Sequence, residues 1–424
     1  ISDLVEEGLL HKECDQIFRI KNKQASEVHR PKSLENLVQI VKNKDDLTLL
    51  PIGGGTQLEL GESPEGQFAA LHLESAFPKK IEHEPTDLTV LVSSNTTLKE
   101  LQDELKKAGQ RVPIDPPNNE NATIGGILAV GIGGPLQSRF GPPRDWVLGM
   151  SVLRADGEIV RAGGRVVKNV TGYDLMRLWC GSLGTIGLIT EVALRVTPIV
   201  TTNDYSATVT NFSEAKKIVD EIFIKDIRPE CADILIKNGT HTLFLRLSEQ
   251  TQEITQTILH QKLIKEEKED LYLQARDLGF TAKDELTIRV SCTNSTLEFI
   301  VNELQQLHPD SLLVRPLTGL IRATWESNNA KKAGAAIGIA SLREKNEVSD
   351  AIIIIERSLD QNIKIDTWGP KNASFDYDQS FGKSGRLPLA LDAGIPTDQF
   401  SEQNDYPGAT YQSQYGDEKT TCRL

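Results

Sequence analysis

The sequence contains four glycine-rich segments whose residue types suit the binding of a phosphorylated ligand. The first, 51–57 (PIGGGTQ), directly follows the apolar run Leu47–Ile52. Three consecutive glycines let the backbone adopt φ > 0 and bring several N–H groups to one point, which forms a nest for an anion such as a pyrophosphate. A plain tight turn is the alternative, because triple glycine alone is weak evidence.

The second and third segments add a small-residue surface and two cations. Segment 115–135 (DPPNNENATIGGILAVGIGGP) mixes glycine with apolar residues over a length too great for a turn. Such a surface could lie against a flat ring, and a helix packed closely through its glycines is the alternative. Segment 139–149 (RFGPPRDWVLG) offers Arg139 and Arg144, although Arg144 could equally form an ordinary surface pair with Asp145.

The fourth segment, 163–189, begins GGRVVKNVTGYDL and ends GSLGTIGLI. Lys168 and Asn169, bracketed by glycines, could offer charge and hydrogen bonds to an electron-rich ring or to a substrate carboxylate. A solvated lysine in a loop is the ordinary alternative.

In the first half of the chain, capping and turn residues predict the helices and strands that would position these segments. Ser33 is expected to cap an amphipathic helix, and Thr97 with Glu100 forms a capping box before a second helix. Asp156-Gly157 joins two apolar runs, which predicts a β-hairpin and therefore antiparallel strands. We expect helices mixed with antiparallel strands rather than a uniformly parallel sheet.

The predicted fold class is α+β, with a larger domain at residues 1–200 and a smaller α+β domain at 201–345, where strands and helices alternate. Residues 346–370 are expected to return to the first domain. The region 371–424 is rich in Gly, Pro, Ser, Asn, Asp and Gln and has no sustained hydrophobic period, so we predict an extended tail there.

Charge and cysteine content limit the classes of partner and cofactor. The net charge of −13 argues against nucleic acid and anionic membrane surfaces, because both would be repelled at long range. No apolar run reaches the roughly 20 residues that span a bilayer, so we expect a protein in the cytoplasm or peripheral at the inner membrane, with an organelle as an open alternative. The five cysteines are scattered singly. Electrons would therefore need a bound organic cofactor rather than a metal site or cluster in this chain.

In order and spacing, the motifs GGGT, TIGG, RDWVLG, GGRVVKNVTGYDL and GSLGTIG resemble the vanillyl-alcohol-oxidase-type (PCMH-type) FAD-binding domain. Within that superfamily the VKNVTGYD and RDWVLG elements are similar to the FAD-binding E subunit of bacterial glycolate oxidase. The resemblance covers residues 30–200 closely, the following region in outline, and Asp366–Pro370 as a short return segment.

The resemblance implies non-covalent FAD, with the pyrophosphate at the first segment, the flavin at the second, and the ribose and adenine at the end of the fourth. Lys168, Arg139 and Arg144 are candidates for a catalytic role, because a nearby cation favours a reduced, anionic flavin. The residues expected to bind FAD are Ile52, Gly53, Gly54, Gly55, Thr56, Gln57, Pro116, Thr123, Gly125, Gly126, Lys168, Asn169, Gly184, Gly187 and Ile189.

Two departures from the family bear on function. Gly131 stands where the substrate-oxidising D subunits usually carry Asn, and the histidine pair with which those subunits bind a metal has no counterpart here. The closing segment D-P-x-x-x-x-N-P-G-R is also absent. The first departure questions whether this chain oxidises substrate itself, and the second whether its flavin pocket is fully closed.

The function implied is that of an FAD-dependent oxidoreductase subunit in a glycolate or D-2-hydroxyacid oxidase or dehydrogenase complex. Its expected partners are a sister FAD subunit, an iron–sulfur subunit and a small 2-hydroxy acid, with electrons leaving to the iron–sulfur partner or to a quinone. An electron-relay subunit that binds no substrate, and a scaffold that has lost FAD, are the alternatives. The spaced aromatics of the tail, such as Tyr377 and Tyr406, are expected to dock on a partner subunit.

Overall fold

The computed structural model describes residues 18–358, apart from 22, 45–46, 62, 65, 166–173, 250–263, 267–269, 282, 327–328 and 346–350, together with 367–368. The candidate pair Lys168 and Asn169 and the expected tail at 371–424 therefore lie outside the described residues.

Short strands and helices alternate along the first half of the described chain. The strands are β1 (Arg19–Ile20), β2 (Lys23–Gln24), β3 (Glu27–His29), β4 (Thr48–Ile52), β5 (Phe68–His72), β6 (Ile81–Glu84), β7 (Thr89–Ser93), β8 (Gln110–Arg111), β9 (Val147–Leu153), β10 (Ile159–Gly163), β11 (Leu188–Arg195) and β12 (Thr197–Pro198). The helices are α1 (Leu34–Lys42), α2 (Leu98–Lys106), α3 (Ile124–Val130), α4 (Gln137–Phe140) and α5 (Met176–Trp179), with a 3₁₀ helix at Pro143–Trp146.

The helix starts predicted from capping residues are confirmed. The Ser33 hydroxyl accepts a hydrogen bond from the amide of Asn36 at 3.1 Å, and α1 begins at Leu34. Before α2, the Glu100 amide donates to Thr97 Oγ1 at 3.2 Å and the Thr97 amide donates to Glu100 Oε2 at 2.8 Å. Each cap satisfies amides that the first helical turn leaves without partners, which fixes where the helices begin.

This half contains a parallel sheet and an antiparallel sheet. Strands pair in parallel in the order β3-β5-β4 and antiparallel in the order β10-β9-β11-β7-β6. The expected hairpin is β9–β10, where Leu153 pairs with Ile159 and Gly157 has φ +81° in the turn. The mixed fold is thereby confirmed. Helices α2 and α3 pack on the antiparallel sheet through a core that includes Leu101 and Val192.

A second, larger sheet forms in the other half of the chain. Its strands are β13 (Thr202–Val209), β14 (Cys231–Lys237), β15 (Thr240–Ser248), β16 (Ile264–Lys265), β17 (Leu286–Ser291), β18 (Ser311–Arg315), β19 (Leu320–Trp325) and β20 (Ile352–Ser358). The helices are α6 (Phe212–Ile224), α7 (Asp270–Asp277), α8 (Leu297–Gln306) and α9 (Asn329–Arg343). The order β16-β13-β15-β14-β18-β19-β17-β20 is antiparallel throughout.

This sheet contains a repeated unit. The arrangement β13-α6-β14-β15 recurs as β17-α8-β18-β19, and the two units join where Ile234 of β14 pairs with Val314 of β18. Side chains alternate between the faces of each strand. One face packs apolar residues against α6, α8 and α9. The other face carries buried polar side chains, including Asp204, Asp233, Arg246, Arg315, Arg322 and Glu356.

Strand β20 lies within the range 346–370 that we expected to return to the first domain, and it instead forms an edge of the second sheet by pairing with β17. The Ile355 amide donates to the Thr367 carbonyl at 2.9 Å, which satisfies one backbone donor of this strand. Trp368 lies beside Gly61 of the first half, since a Cβ placed on Gly61 would be 3.4 Å from the Trp368 ring. None of the described helices has the length and apolar character that crossing a membrane requires.

Candidate functional site

The triple-glycine loop leaves β4 after Ile52 and lies directly against the start of the second glycine-rich segment. A Cβ on Gly54 would be 1.8 Å from the carbonyl oxygen of Asn121, and one on Gly53 would be 2.3 Å from Thr123 Oγ1. No side chain fits at either place, so the contact between the two segments itself requires glycine. Gly55 has φ +69°, a left-handed conformation that glycine adopts without strain.

The amides of this loop are available to a ligand. Within the described part of the chain, no carbonyl or side chain accepts from the N–H groups of Gly53, Gly54, Gly55 or Thr56. The side-chain Nε2 of Gln57 is buried and also has no partner there. Successive donors without acceptors are what an anion such as a pyrophosphate would satisfy. The residues present therefore fit the phosphate part of a dinucleotide.

Helix α3 lies at the centre of the glycine-rich segments. The hydroxyl of its N-cap, Thr123, accepts from the Gly126 amide at 3.3 Å, and the Gly125 amide donates to the Ser94 carbonyl at 2.8 Å. A Cβ on Gly125 would lie 2.7 Å from Ser94 Cβ, so packing requires glycine there. A Cβ on Gly126 would meet Thr123 Oγ1 at 3.2 Å and, among the described atoms beyond its own helix, nothing else within 4 Å. As far as the described residues show, the space beside Gly126 is therefore open to a ligand.

The end of the fourth segment returns to the first. The Gly181 amide donates to the Leu128 carbonyl at 2.9 Å, and the Leu183 amide donates to the Ala129 carbonyl at 2.7 Å. A Cβ on the next residue, Gly184, would be 3.0 Å from Pro51 Cγ at the end of β4. Backbone contacts with α3 thus bring the segment beside the triple-glycine loop.

Of three further residues expected to bind FAD, Pro116 and Ile189 are buried and Gly187 is half-buried. Gly187, with φ +151°, packs on β9, where a Cβ would be 2.5 Å from Val152 Cγ1. Ile189 belongs to the core of the antiparallel sheet, and Pro116 is buried just after Asp115. The contact of these three residues with a cofactor stays a prediction.

The two candidate cations occupy different environments. Arg139 is exposed on α4, and Arg144 is half-buried in the 3₁₀ helix. Burial raises the pKa of the nearby Cys180 thiol to about 12, although the positive charge of Arg144 opposes that rise. Asp145, the neighbour proposed as a surface partner of Arg144, lies 3.6 Å from Arg177 Nη2.

Asp115 is a buried acid to which no function was assigned from the sequence. Its Oδ2 accepts from the Tyr272 hydroxyl at 2.6 Å and from the Leu136 amide at 3.1 Å. Burial raises the pKa of Asp115 to about 6, while the hydrogen bonds from Tyr272 and Leu136 oppose the rise. In the sequence, the feature that could have drawn attention to Asp115 is its place between apolar residues and prolines. Tyr272 lies 157 residues further along the chain, so no local pattern connects the two.

Comparisons with known proteins agree with this geometry. Residues 25–163 match the FAD binding domain family. The chain is 36% identical over 166 residues to glycolate oxidase subunit GlcE of Escherichia coli (strain K12), a match that covers 39% of this chain and 46% of that protein. It is 32% identical over 173 residues to a D-lactate dehydrogenase of Archaeoglobus fulgidus, with 40% and 38% covered. It is 31% identical over 209 residues to glycolate oxidase subunit GlcD of Bacillus subtilis (strain 168), with 48% and 44% covered. The chain thus spans less than half the length of these curated relatives.

Among solved structures, the chain is similar to an alkyldihydroxyacetonephosphate synthase, with a TM-score of 0.60 and 15% identity over 76% of this chain and 72% of that one. At that identity the likeness shows the fold alone. The structure, the family match and the relatives agree that residues 25–163 form an FAD binding domain and that FAD is the cofactor, and the solved synthase structure shows a similar mixed fold of helices and strands.

Proposed function

We propose that this chain is the FAD-binding subunit of a complex that oxidises glycolate or another D-2-hydroxy acid. The observation that carries the proposal is the convergence of the glycine-rich segments around α3, which sets the free amides of 53–56 near the open space at Gly126. The names of the relatives, glycolate oxidase subunits and D-lactate dehydrogenases, support this substrate class.

From the same convergence we propose which residues bind each part of the cofactor. We assign the pyrophosphate to the amides of 53–56 and the Gln57 side chain, and the flavin to the neighbourhood of Pro116, Thr123 and Gly126. The adenine end is assigned to the neighbourhood of Gly184. Bound FAD would supply the acceptor for the hydride that a 2-hydroxy acid loses from C2. The protein's own contribution is to bind and orient the cofactor and to exclude water behind the buried wall.

Charged groups near these residues provide candidates for holding an anion. Arg139 and Arg144 follow α3 closely in the chain, and Lys168 with Asn169, which lie outside the described residues, stay predictions from the motif. A sister FAD subunit and an iron–sulfur subunit are proposed as partners, because two of the relatives are named as subunits of glycolate oxidase.

A second candidate, an electron-relay subunit that binds no substrate, is favoured by the charges on the second sheet. On its polar face Arg246 lies 2.7 Å from Asp204, Arg322 lies 2.7 Å from Glu356, and Arg315 lies 3.2 Å from Asp233. Arg246 and Arg315 are thus each paired with an acid of the protein and offer little unbalanced charge to a substrate carboxylate. Glu356 also lies 3.1 Å from Arg289, so it offsets only one of its two arginine neighbours.

Anaerobic titration of the purified chain with glycolate and D-lactate separates the two candidates, with L-lactate as the control for stereochemistry. Bleaching of the flavin absorbance by the chain alone supports direct oxidation. Bleaching that needs an added sister subunit supports the relay. A chain that is purified without flavin and takes up none contradicts both.

A further inference from the structure

We propose that Asp115 and Tyr272 are positioning residues for the flavin, and that their hydrogen bond lets the second sheet set the geometry of the FAD site. The inference rests on the FAD-binding role proposed above. It extends that role to a contact outside the glycine-rich motifs.

Asp115 joins two backbone segments that flank α3. Its carboxylate accepts from the Leu136 amide, 3.1 Å from Oδ2 and 3.3 Å from Oδ1, at the start of α4. A Cβ on Gly134 would lie 1.8 Å from the Asp115 carbonyl oxygen, so the segment before α4 lies directly on Asp115. The residue after Asp115 is Pro116, which we assign to the neighbourhood of the flavin. The position of this carboxylate therefore fixes the backbone next to the assigned ring.

Tyr272 is held in place by the second sheet. Its hydroxyl donates to Asp115 Oδ2 at 2.6 Å, and the guanidinium carbon of Arg246 lies 3.7 Å from its ring centroid. Arg246 in turn donates to both carboxylate oxygens of Asp204, at 2.7 and 2.8 Å. Phe244 packs beside the ring at 6.3 Å between centroids. These contacts attach the tyrosine to β15 and, through Asp204, to β13, so the position of these strands is passed on to Asp115.

Removing the hydrogen bond between Tyr272 and Asp115 should change the FAD site, because its acceptor is a carboxylate that is buried away from water. Asp115 and Tyr272 are only 5% and 6% exposed, so water cannot easily replace a lost partner. Hydrogen bonds to an ionised group are about twice as strong as neutral ones. A displaced Asp115 would shift both Pro116 and the start of α4.

The test compares FAD dissociation constants and the absorption spectrum of the FAD-saturated chain among single variants. Tyr272→Phe should weaken FAD binding by about tenfold, the size expected for one lost hydrogen bond to a carboxylate, and should shift the spectrum of the bound flavin. Asp115→Ala should do the same. Asp115→Asn keeps an oxygen that accepts from both donors, so FAD affinity should stay within about threefold of the wild type.

Tyr205→Phe is the matched control. Tyr205 is fully buried on β13, on the apolar face of the second sheet, and its hydroxyl has no partner among the described residues. Its removal should leave FAD affinity and spectrum unchanged. Urea unfolding of each variant shows which of them fold.

The double variant Tyr272→Phe with Asp115→Ala decides whether the two residues act together. If they act through one contact, the double variant should bind FAD no more weakly than Asp115→Ala. Multiplied losses, or a Tyr272→Phe chain with wild-type affinity and spectrum, would overturn the inference while leaving the proposed function intact. A wild-type chain that binds no FAD would overturn both.

Discussion

Arg315 is fully buried on β18 and connects the two halves of the protein. Its Nη1 donates to the carbonyl oxygen of Gly133 at 3.3 Å, between α3 and α4, and its Nε donates to Asp233 Oδ2 at 3.2 Å. Burial raises the pKa of Asp233 to about 6, and the charge of Arg315 opposes that rise. One guanidinium thus balances a buried acid and binds the second sheet to the FAD-binding half.

Replacing Arg315 with Met should lower the free energy of unfolding by about 3–5 kcal/mol, because it leaves Asp233 buried without its cation. Arg228→Met is the control, since Arg228 and its partner Asp226 are both exposed, and its effect should stay within about 0.5 kcal/mol. Urea denaturation measures both. A loss below about 1 kcal/mol for Arg315→Met would show that this ion pair is not needed for stability.

Gly126→Ala should reduce FAD affinity by at least tenfold while the apoprotein stays as stable as the wild type or becomes more so. Alanine is favoured over glycine inside a helix by about 1 kcal/mol, and its Cβ would meet Thr123 Oγ1 at 3.2 Å. Gly125→Ala is the contrasting variant and should lose stability, because its Cβ would lie 2.7 Å from Ser94 Cβ. A Gly126→Ala chain that keeps its flavin through dialysis would mean that this surface only packs the helix.

Gln57→Leu should stabilise the apoprotein and weaken FAD binding, whereas a typical core substitution lowers stability. The buried Nε2 of Gln57 lacks a partner among the described residues, and an unsatisfied buried donor costs about 1–3 kcal/mol. Its removal should therefore raise the apoprotein melting temperature and weaken FAD binding. Unchanged FAD affinity would show that this side chain does not reach the cofactor.

The stability of the wild type relative to Asp115→Asn should depend on pH. The pKa of Asp115 is about 6 in the folded chain, against about 3.9 when unfolded. The folded state binds the extra proton between these values, so the stabilisation is complete below about pH 4 and is lost as the pH rises through about 6. The difference in unfolding free energy should fall by on the order of 3 kcal/mol over this range.

Urea titrations of both proteins at several pH values measure this difference. The groups that act on the Asp115 carboxyl are Tyr272, Leu136, Arg315 and Asp233. They are present in both proteins, so their own titration largely cancels in the comparison. A difference that stays constant with pH would contradict the raised pKa.

Much of the first half could be predicted from sequence because its signals are local. Ser33 and Thr97 mark helix starts through residues three positions away, and Asp156-Gly157 marks a turn between adjacent strands. The repeated unit of the second half was harder to predict. Strands β18 and β19 carry Arg315 and Arg322 at buried positions, and charged residues inside a strand conceal the apolar pattern that would indicate it.

The sequence predicted which segments form the site, but not the role of each residue within it. The sequence indicates that Gly53, Gly54, Gly125 and Gly126 belong together, yet only their neighbours in space show that the first three are required by packing and the fourth faces open space. Asp115 and Tyr272 meet through the arrangement of whole elements, so local spacing carries no signal for their hydrogen bond. Lys168 and Asn169 stay predictions from the motif.

The visible absorption spectrum of the purified wild-type chain, followed by acid precipitation, tests the central claim most directly. We predict the spectrum of an oxidised flavin, stoichiometric FAD, and release of the yellow colour into the supernatant, because the cofactor is held by backbone amides and packing without a covalent bond. Colour retained in the pellet would contradict non-covalent binding. A colourless chain that takes up no added FAD would contradict the assignment of this site to the cofactor.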